Sequence, residues 1–536
     1  MPRAEPVRLP CRKAQTRLRR YGCPRRPNGL TSRRRQNRKT APVSVAPDDQ
    51  TKPKQVSFFA LFPSIMLPMF IGMLDQTIVA TALPAIGAEL GRVEFIAWVV
   101  VAYLVAAATA APVYGRLGDA LGRQRLLIVA ICVSTAGSLL CAFSVSAEML
   151  IASRVLQGLG GGGLIALSQA LIGQTVPPRE RARYQGYIAS IGVTSSTVGP
   201  VIGGFLTEYF GWRAIFFFNV PFALLAILLV LRLPAVSRQR EPFRFDWQGL
   251  LLFACFVWSL LILVETLRGG VAGGASLSLW LAAGVVVSAV LLYRREKRAD
   301  QPLLPITLLQ NPSVWRADAL AMAQGAIYIS LITFTPIYLR AVHGAPASEI
   351  GLLMLPMTVS VGVGGFLLGQ FVSRTGRTAI FPSLGLLVAG GLLLVMYFLA
   401  GSMSPAQFAA TGGAIAFFLG SVMGVVQITV QSEAGAKLLG SAAAGIAVSR
   451  SIGAALGTAI VGAVLAAAMA ATGVEMSGPI QAVLQGGEVA LAELDPEVVS
   501  GIRDAVGRGF ESVFLVIFVF TAIGAALSWT IPRRTI

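Results

Sequence analysis

Charged side chains are scarce in this sequence. Only 13% of its 536 residues are charged, against about 25% in a soluble domain, whereas 55% are hydrophobic and the mean hydropathy is +0.71. The single histidine, His343, and the five cysteines lack metal-ligand or disulfide spacing, which excludes a metal site and a disulfide scaffold. No glycine-rich loop ends in Lys-Ser or Lys-Thr. The sequence therefore predicts a membrane protein that is not an enzyme, with no catalytic residue, metal or cofactor.

Long apolar runs occupy most of the chain. Each is long enough to cross about 30 Å of hydrocarbon, which takes roughly 20 helical residues. Short loops between the runs and the absence of alternating ten-residue strands favour helices over a β-barrel. The fourteen predicted spans are 58–84, 95–114, 126–144, 148–175, 184–207, 213–233, 247–266, 278–294, 314–339, 349–371, 379–400, 405–430, 441–471 and 512–531. The fold class is thus all-α integral membrane.

Arg-rich and Arg-poor connections alternate along the chain. Because cytoplasmic loops carry the excess of Lys and Arg, this alternation predicts the orientation in the membrane. The Arg-rich connections are 115–125, 176–183, 234–246, 294–298 and 372–378, and only 431–440 is weak. By contrast, residues 472–511 hold seven acidic residues against two arginines. We expect a multi-pass protein of a bacterial cytoplasmic (inner) membrane with both termini cytoplasmic. The extracytoplasmic loop 472–511 is long enough to contact a periplasmic adaptor protein, although its sequence does not identify a particular partner.

Residues 1–56 differ from the rest of the chain. They contain 16 Lys and Arg against three acidic residues, eight prolines and little apolar clustering, so a disordered basic cytoplasmic tail is expected. Such a tail could contact anionic lipid headgroups or nucleic acid. A solvated tail, or a start site assigned too early, is the favoured interpretation, and no nucleic-acid partner is expected.

An internal repeat organises the remaining chain. Gly115–Arg123 recurs in altered form as Gly369–Arg377, an offset of 254 residues that also carries Gly199 onto Gly453 and Gly203 onto Gly457. The same offset maps the first predicted span onto the ninth. We therefore predict two six-helix bundles, 57–233 and 312–536, with an inserted helix pair at 247–294.

The first copy of the repeated motif carries five candidate latch residues. These are Gly115, Gly118, Asp119, Gly122 and Arg123. The glycines permit a tight turn, Asp119 can face the positive end of a helix, and Arg123 lies one turn away for a charge pair. A plain Arg-rich loop is the alternative. The segment resembles the cytoplasmic motif between helices 2 and 3 of the major facilitator superfamily, which implies a conformational latch. Ser373 replaces Asp119 in the second copy, so the resemblance does not carry the latch there.

Asp75 is a carboxylate inside an apolar span, and such a residue is by default a functional hypothesis. At about 1.5 Å per residue, it lies about 13 Å below the outer end of its span and Arg154 about 9 Å below the outer end of the fourth. The two are plausible partners, with Gln157 on the same stripe as Arg154. A structural ion pair is the alternative. These segments resemble helices 1 and 4 of the fourteen-helix drug/proton antiporters, which implies proton coupling at Asp75 and Arg154.

The fifth span carries a glycine motif whose residues are Gly192, Gly199, Pro200, Gly203 and Gly204. Small residues at helical spacing allow another helix to approach, so a generic packing face is one explanation. Gly-Pro-x-x-Gly-Gly is also similar to the antiporter motif of exporters. The following segment, Trp212–Pro221, resembles the start of the sixth helix in the fourteen-helix branch.

Several polar residues carry weaker signals. Glu265 and Asp318 are expected to be boundary charges. Arg450 lies well inside its span and needs a partner or water, with structural pairing and substrate gating both open. Together with Gln157, the glutamines Gln427 and Gln431 are expected to reach a substrate cavity.

The resemblance covers residues 58–531. It implies a transporter of the major facilitator type, driven by the proton gradient, that exports amphipathic and expectedly cationic drugs or toxic small molecules. Its partners would be the lipid bilayer, a small-molecule substrate and protons. Export of an endogenous metabolite, lipid or antibiotic is the alternative. A non-transporting scaffold or sensor is disfavoured because Asp75, Asp119 and Arg123 are all present.

Overall fold

The computed structural model describes residues 58–90, 96–233, 245–267, 274–304, 306–345, 347–376, 380–435, 437–471 and 496–532. These residues belong to the compact unit Gln55–Ile536 and form fifteen α-helices and one short 3-10 turn, without a β-strand among them. The predicted tail 1–56 lies outside the described residues.

The helices of the first half and of the segment that follows it are α1 Phe58–Leu90, α2 Ile96–Leu121, α3 Arg123–Ala142, α4 Ala147–Thr175, α5 Pro178–Phe210, α6 Ala214–Leu231, α7 Trp247–Leu267 and α8 Gly274–Arg298. The helices of the second half are the short α9 Ile306–Leu309, then α10 Pro312–Ala341, α11 Ala347–Thr375, α12 Ile380–Leu399, α13 Pro405–Ala434, α14 Leu439–Ala471 and α15 Pro496–Thr530.

Fourteen of the described helices, all except α9, are long and apolar enough to cross a membrane, which confirms the predicted count. Two predicted connections were wrong in extent. Helix α2 continues to Leu121, so most of the predicted loop 115–125 is helical and Gly122 alone makes the turn into α3. Helix α15 begins at Pro496, so the later part of the predicted loop 472–511 is helical. Hydropathy marks the length of chain in hydrocarbon, and a helix can continue beyond it.

Apolar packing follows the predicted division of the chain. Helices α1–α6 share two buried clusters, and α10–α15 share one large cluster. A smaller cluster joins Val105 of α2, Phe253 of α7, Leu292 of α8 and Val448 of α14. The pair α7–α8 therefore packs at the edge where the two halves meet. The domain boundaries 57–233, 247–294 and 312–536 themselves stay predictions.

The internal repeat is visible in the backbone. Gly122 and Gly376 follow α2 and α11, and both have positive φ, 106° and 67°, which glycine adopts without strain. In each half the fifth helix also packs on the first through a glycine, since Gly199 abuts Thr77 of α1 and Gly453 abuts Met322 of α10.

At the end of the bundle opposite the α2–α3 turn, a polar cluster ties α1 to the start of α6. Arg213 Nη1 lies 2.5 Å from Glu89 Oε1, and Trp212 Nε1 donates to Glu89 Oε2 at 2.7 Å. The other arm of Arg213 donates to the Ser144 carbonyl at 3.0 Å. The hydrogen bond from Arg213, followed by the one from Trp212, lowers the pKa of Glu89.

We predict that Glu89→Gln lowers the free energy of unfolding at neutral pH by under about 1 kcal/mol, the amount expected of a half-exposed ion pair. The melting temperature should fall slightly as a result. Because the pKa of Glu89 is lower in the folded state, its stabilisation is present above the ordinary value of 4.5 and is lost as pH falls through the folded value. Thermal melts of both proteins across the acidic range check this. A gap in melting temperature that persists at the acid end would contradict it.

Candidate functional site

Asp75 and Arg154 form a buried ion pair between α1 and α4. The distance from Arg154 Nη1 to Asp75 Oδ2 is 2.6 Å, and the two residues are 2% and 1% exposed. The pairing expected from their similar depth is therefore observed, between helices that are three apart in the chain. Whether the pair carries protons stays a prediction.

Two amide side chains complete the shell of Asp75. Gln157 Nε2 donates to Asp75 Oδ1 at 2.7 Å, and Asn219 Nδ2 of α6 donates to the same oxygen at 2.9 Å. Both amides also donate to Ser138 Oγ of α3 at 3.2 Å. Gln157 is 1% exposed, and its expected place in a substrate cavity stays a prediction. It is held by Asp75 and Arg154, whose Nη1 donates to Gln157 Oε1 at 2.7 Å.

Asn219 was not assigned a role from the sequence, although it lies in the segment that carried the resemblance. The available signal was an amide within the otherwise apolar helix α6, because polar side chains at such positions are rarely without function. Its partner could not be named from spacing alone. The distance between Asn219 and Asp75 in the chain is 144 residues.

Helix α2 holds Arg154 from the other side. Arg154 Nε donates to the Val99 carbonyl at 3.1 Å, and the guanidinium carbon lies 4.3 Å from the centre of the Tyr103 ring. The glycine run of α4 makes this approach possible, since a Cβ on Gly158 or Gly161 would overlap Tyr103. Five helices thus converge on one carboxylate.

The network leaves Asp75 little freedom in this conformation. One oxygen faces the guanidinium of Arg154 and the other accepts from two amides, a donor set that suits an ionised carboxylate. Displacement of α1 against α4 or α6 would break at least one of these contacts.

Asp119 joins the two halves by capping α14. Its oxygens accept from the Gly440 and Ser441 amides, both at 2.9 Å, and from Ser441 Oγ at 3.2 Å. First-turn amides have no partner within their own helix, and the positive helix end favours a carboxylate. Arg123 Nη2 lies 2.7 Å from Asp119 Oδ1, and Gln174 accepts from Arg123 Nη1 at 2.9 Å. The expected geometry of the latch is thus present, with the N-terminus of α14 as its partner.

The second copy of the motif makes no such cap through Ser373. Its hydroxyl donates to the Gln370 carbonyl of its own helix at 2.8 Å. The corresponding junction between α5 and α11 is instead close-packed, with Gly186 against Phe366 and Gly365 against Ala189.

Gln431 also joins the halves. It is 1% exposed and donates to the Gln169 carbonyl of α4 at 3.0 Å. Gln427, one turn away on α13, is 3% exposed, and the expected place of both glutamines in a substrate cavity stays a prediction. Its amide nitrogen has no partner in the described part of the chain. The hydrogen bond from Gln431 to Gln169, together with the Asp119 cap, closes the bundle at the end that carries the α2–α3 turn.

The glycine motif of α5 divides into two groups. Gly199 and Gly203 pack against α1, at Thr77 and at Thr81 with the Ile78 carbonyl. Thr77 Oγ1 then donates to the Ser195 carbonyl at 2.9 Å. The remaining members, Gly192, Pro200 and Gly204, are not on this tight contact: a Cβ on Gly192 would have only Met73 within 4 Å, one on Gly204 would meet open space, and Pro200 is exposed.

Two of the three weaker candidates, Asp318 and Arg450, make no described contact with the Asp75 network. Asp318 is 7% exposed inside α10, and its Oδ1 has no partner among the described residues, so it is more buried than the boundary charge that was expected. Arg450 lies on α14 against Gly325 of α10. Glu265 is on α7, and its side chain lies outside the described residues.

A helical bundle built from two repeated halves around a buried ionisable group is the architecture of a secondary membrane transporter. The sequence profile of the Major Facilitator Superfamily matches residues 65–458, and the chain belongs to this family of transporters, which are not enzymes.

Relatives in the family include named exporters. The chain is 34% identical over 398 residues to an uncharacterized MFS-type transporter of Mycobacterium tuberculosis, Rv1877, covering 74% of this chain and 57% of that protein. It thus spans less than two thirds of that relative. It is 29% identical to the multidrug transporter protein MdtP of Bacillus subtilis, covering 75% and 74% of the two chains. The solved proton:xylose symporter XylE matches the fold with a TM-score of 0.56 at 13% identity, covering 89% of this chain and 96% of that one.

We predict that Gly440→Ala weakens the closed end of the bundle. The new Cβ would overlap the Gly115 carbonyl and crowd the Asp119 carboxylate, and overpacking of this kind costs about 1–3 kcal/mol. Hydrogen–deuterium exchange at the start of α14 should become faster. Gly445→Ala on the same helix is the matched control, because its Cβ would meet no atom within 4 Å. Equal exchange in the two variants would contradict the latch.

We also predict that Gly199→Ala destabilises the protein by about 1–3 kcal/mol, because its Cβ would displace Thr77 from its hydrogen bond with Ser195. Gly204→Ala on the same helix should leave stability unchanged or slightly raised, since alanine favours helix. Thermal melts of the two variants make the comparison. A melting temperature for Gly199→Ala as high as that of Gly204→Ala would show that this contact is not tight.

Proposed function

We propose that this transporter is a proton-coupled antiporter that exports amphipathic small molecules across a bacterial cytoplasmic membrane by alternating access. The observation that carries the proposal is the buried network around Asp75, because an intramembrane carboxylate that exchanges partners is a plausible proton site. Export as the direction is supported by the glycine motif of α5 and by the printed names of relatives such as MdtP.

In this proposal the α2–α3 end faces the cytoplasm, as the Arg-rich connections favour. The structure is then closed on the cytoplasmic side, where Asp119 caps α14 and Gln431 meets Gln169. A proton that enters from the opposite side binds Asp75 and releases Arg154. The donors of the network regroup, α1 shifts against α4 and α6, and the latch opens for the next substrate.

The family resemblance implies a cationic substrate, for which a free carboxylate would be the natural partner. In this conformation Asp75 is already compensated by Arg154, so it offers no free countercharge to a cation. Export of an endogenous metabolite, lipid or antibiotic remains the alternative and would use the same machinery. The periplasmic adaptor also stays a prediction, and most of its expected docking segment lies outside the described residues.

The central test is Asp75→Asn in proteoliposomes with an imposed pH gradient. We expect proton-driven export of an amphipathic dye to fall by about ten-fold or more, the effect of losing one charge-assisted interaction. Asp300→Asn, at an exposed position after α8, is the matched control and should transport normally. Normal export by Asp75→Asn would remove this carboxylate from the mechanism.

The double variant Asp75→Asn/Arg154→Gln separates proton coupling from a purely structural ion pair. Both charges are absent, so the folding defect of an unpaired buried arginine is relieved. If the pair is structural, the melting temperature and the export both recover. If Asp75 carries protons, the melting temperature recovers while proton-driven export stays lost.

A further inference from the structure

Arg450 is a charged residue within the predicted membrane span of α14, and it has no partner among the described residues. It lies about 17 Å from the first residue of α14, eleven residues at roughly 1.5 Å each, which is close to mid-depth of a 30 Å core. No hydrogen bond or ion pair of its side chain exists in the described part of the chain, and its Nε is fully buried. The side chain as a whole is partly accessible.

The position of Arg450 faces the protein and not the lipid. A Cβ on Gly325 of α10 would overlap the Arg450 carbonyl and would lie 3.1 Å from its Cγ. Gly453, one turn further along α14, packs against Met322 of the same helix. Two glycines on opposite helices therefore bring α10 and α14 together at the level of this arginine, so its side chain begins in the interior of the bundle.

No carboxylate among the described residues pairs with Arg450. Asp75 is occupied by Arg154. Asp318 lies seven residues below Gly325 on α10, about 10 Å away along the helix, and its own Oδ1 has no partner within the described ranges. The repeat places Ser196 at the position equivalent to Arg450 in the first half, so this cation belongs to the second half alone.

We propose that Arg450 binds an acidic group, a carboxylate or a phosphate, of the transported molecule. A buried guanidinium is costly unless a partner compensates it, and its planar donors match those two groups in geometry. The substrate is then an amphipathic acid or a zwitterion and not a simple cation. This inference rests on the proposed export function but concerns binding, which needs no proton gradient.

The test measures equilibrium binding to the purified full-length protein with two fluorescent pairs, rhodamine B and its ethyl ester, and dansyl-phenylalanine and its amide. In each pair only the first member carries a carboxylate at neutral pH. We expect the wild type to bind the acid of at least one pair about ten-fold more tightly than its neutralised form, the gain of one hydrogen bond to a charged group.

Arg450→Gln should remove this preference without weakening the ester or amide, and Arg450→Lys should keep part of it. Arg316→Gln is the control, because Arg316 of α10 is partly exposed and donates to the Thr530 carbonyl, and this variant should keep all of the preference. Equal affinity of wild type for both members of both pairs overturns the proposal. A preference for the acid that survives Arg450→Gln also overturns the proposal. So does a preference that returns when Asp318→Asn is added to Arg450→Gln, because that result would show that Arg450 pairs with Asp318.

Arg450 could bind an inorganic anion and not the acidic group of a substrate. Changing the anion of the buffer distinguishes the two ligands. Titrations in gluconate are repeated in chloride and in phosphate at physiological concentration. Competition too weak to abolish the preference supports a substrate acid, whereas its complete loss means that Arg450 binds an inorganic ion. Failure of proton coupling in the Asp75→Asn experiment would leave this binding result intact, so the two proposals fail separately.

Discussion

Hydrocarbon offers no hydrogen bonds, and this constraint governs the arrangement of the polar groups in the bundle. Asp75 and Arg154 remain in the interior because helices α1, α2, α4 and α6 and Ser138 of α3 together supply their partners. A network that is satisfied in one arrangement resists small displacements, since any shift leaves a polar atom unpaired. If Asp75 exchanges protons as proposed, a change in its protonation would favour a different arrangement of whole helices and not a local adjustment.

The same constraint gives the closed end its switch-like character. The first amides of α14 are satisfied by Asp119 of the other half, so separating the halves requires water or another acceptor to replace the carboxylate. The equivalent junction of α5 and α11 has Ser373 bonded within its own helix and aromatic packing of Tyr187 on Phe366 at 5.6 Å. One junction is thus sensitive to hydration and the other mainly to shape, although both derive from one repeated unit.

The sequence was informative wherever a property depends on local pattern. Hydropathy predicted the fourteen spans, the 254-residue offset predicted matching turns at Gly122 and Gly376, and helix depth predicted the contact of Asp75 with Arg154. It could not distinguish a glutamine that faces a cavity from one that completes a network, as Gln157 does. That difference depends on which helices lie alongside, and Asn219 reaches Asp75 because α6 packs beside α1.

The charges of the two halves are arranged differently, and this bears on how transport is coupled. In the first half the charges of Asp75 and Arg154 compensate each other. In the second half Asp318 and Arg450 each retain an atom without a partner in the described chain, so binding energy there remains available to a ligand. In the proposed antiport, obligatory exchange needs both sites to act on one element. Helix α14 meets that need, because it carries Arg450 in its interior and receives the Asp119 cap of the first half at its N-terminus.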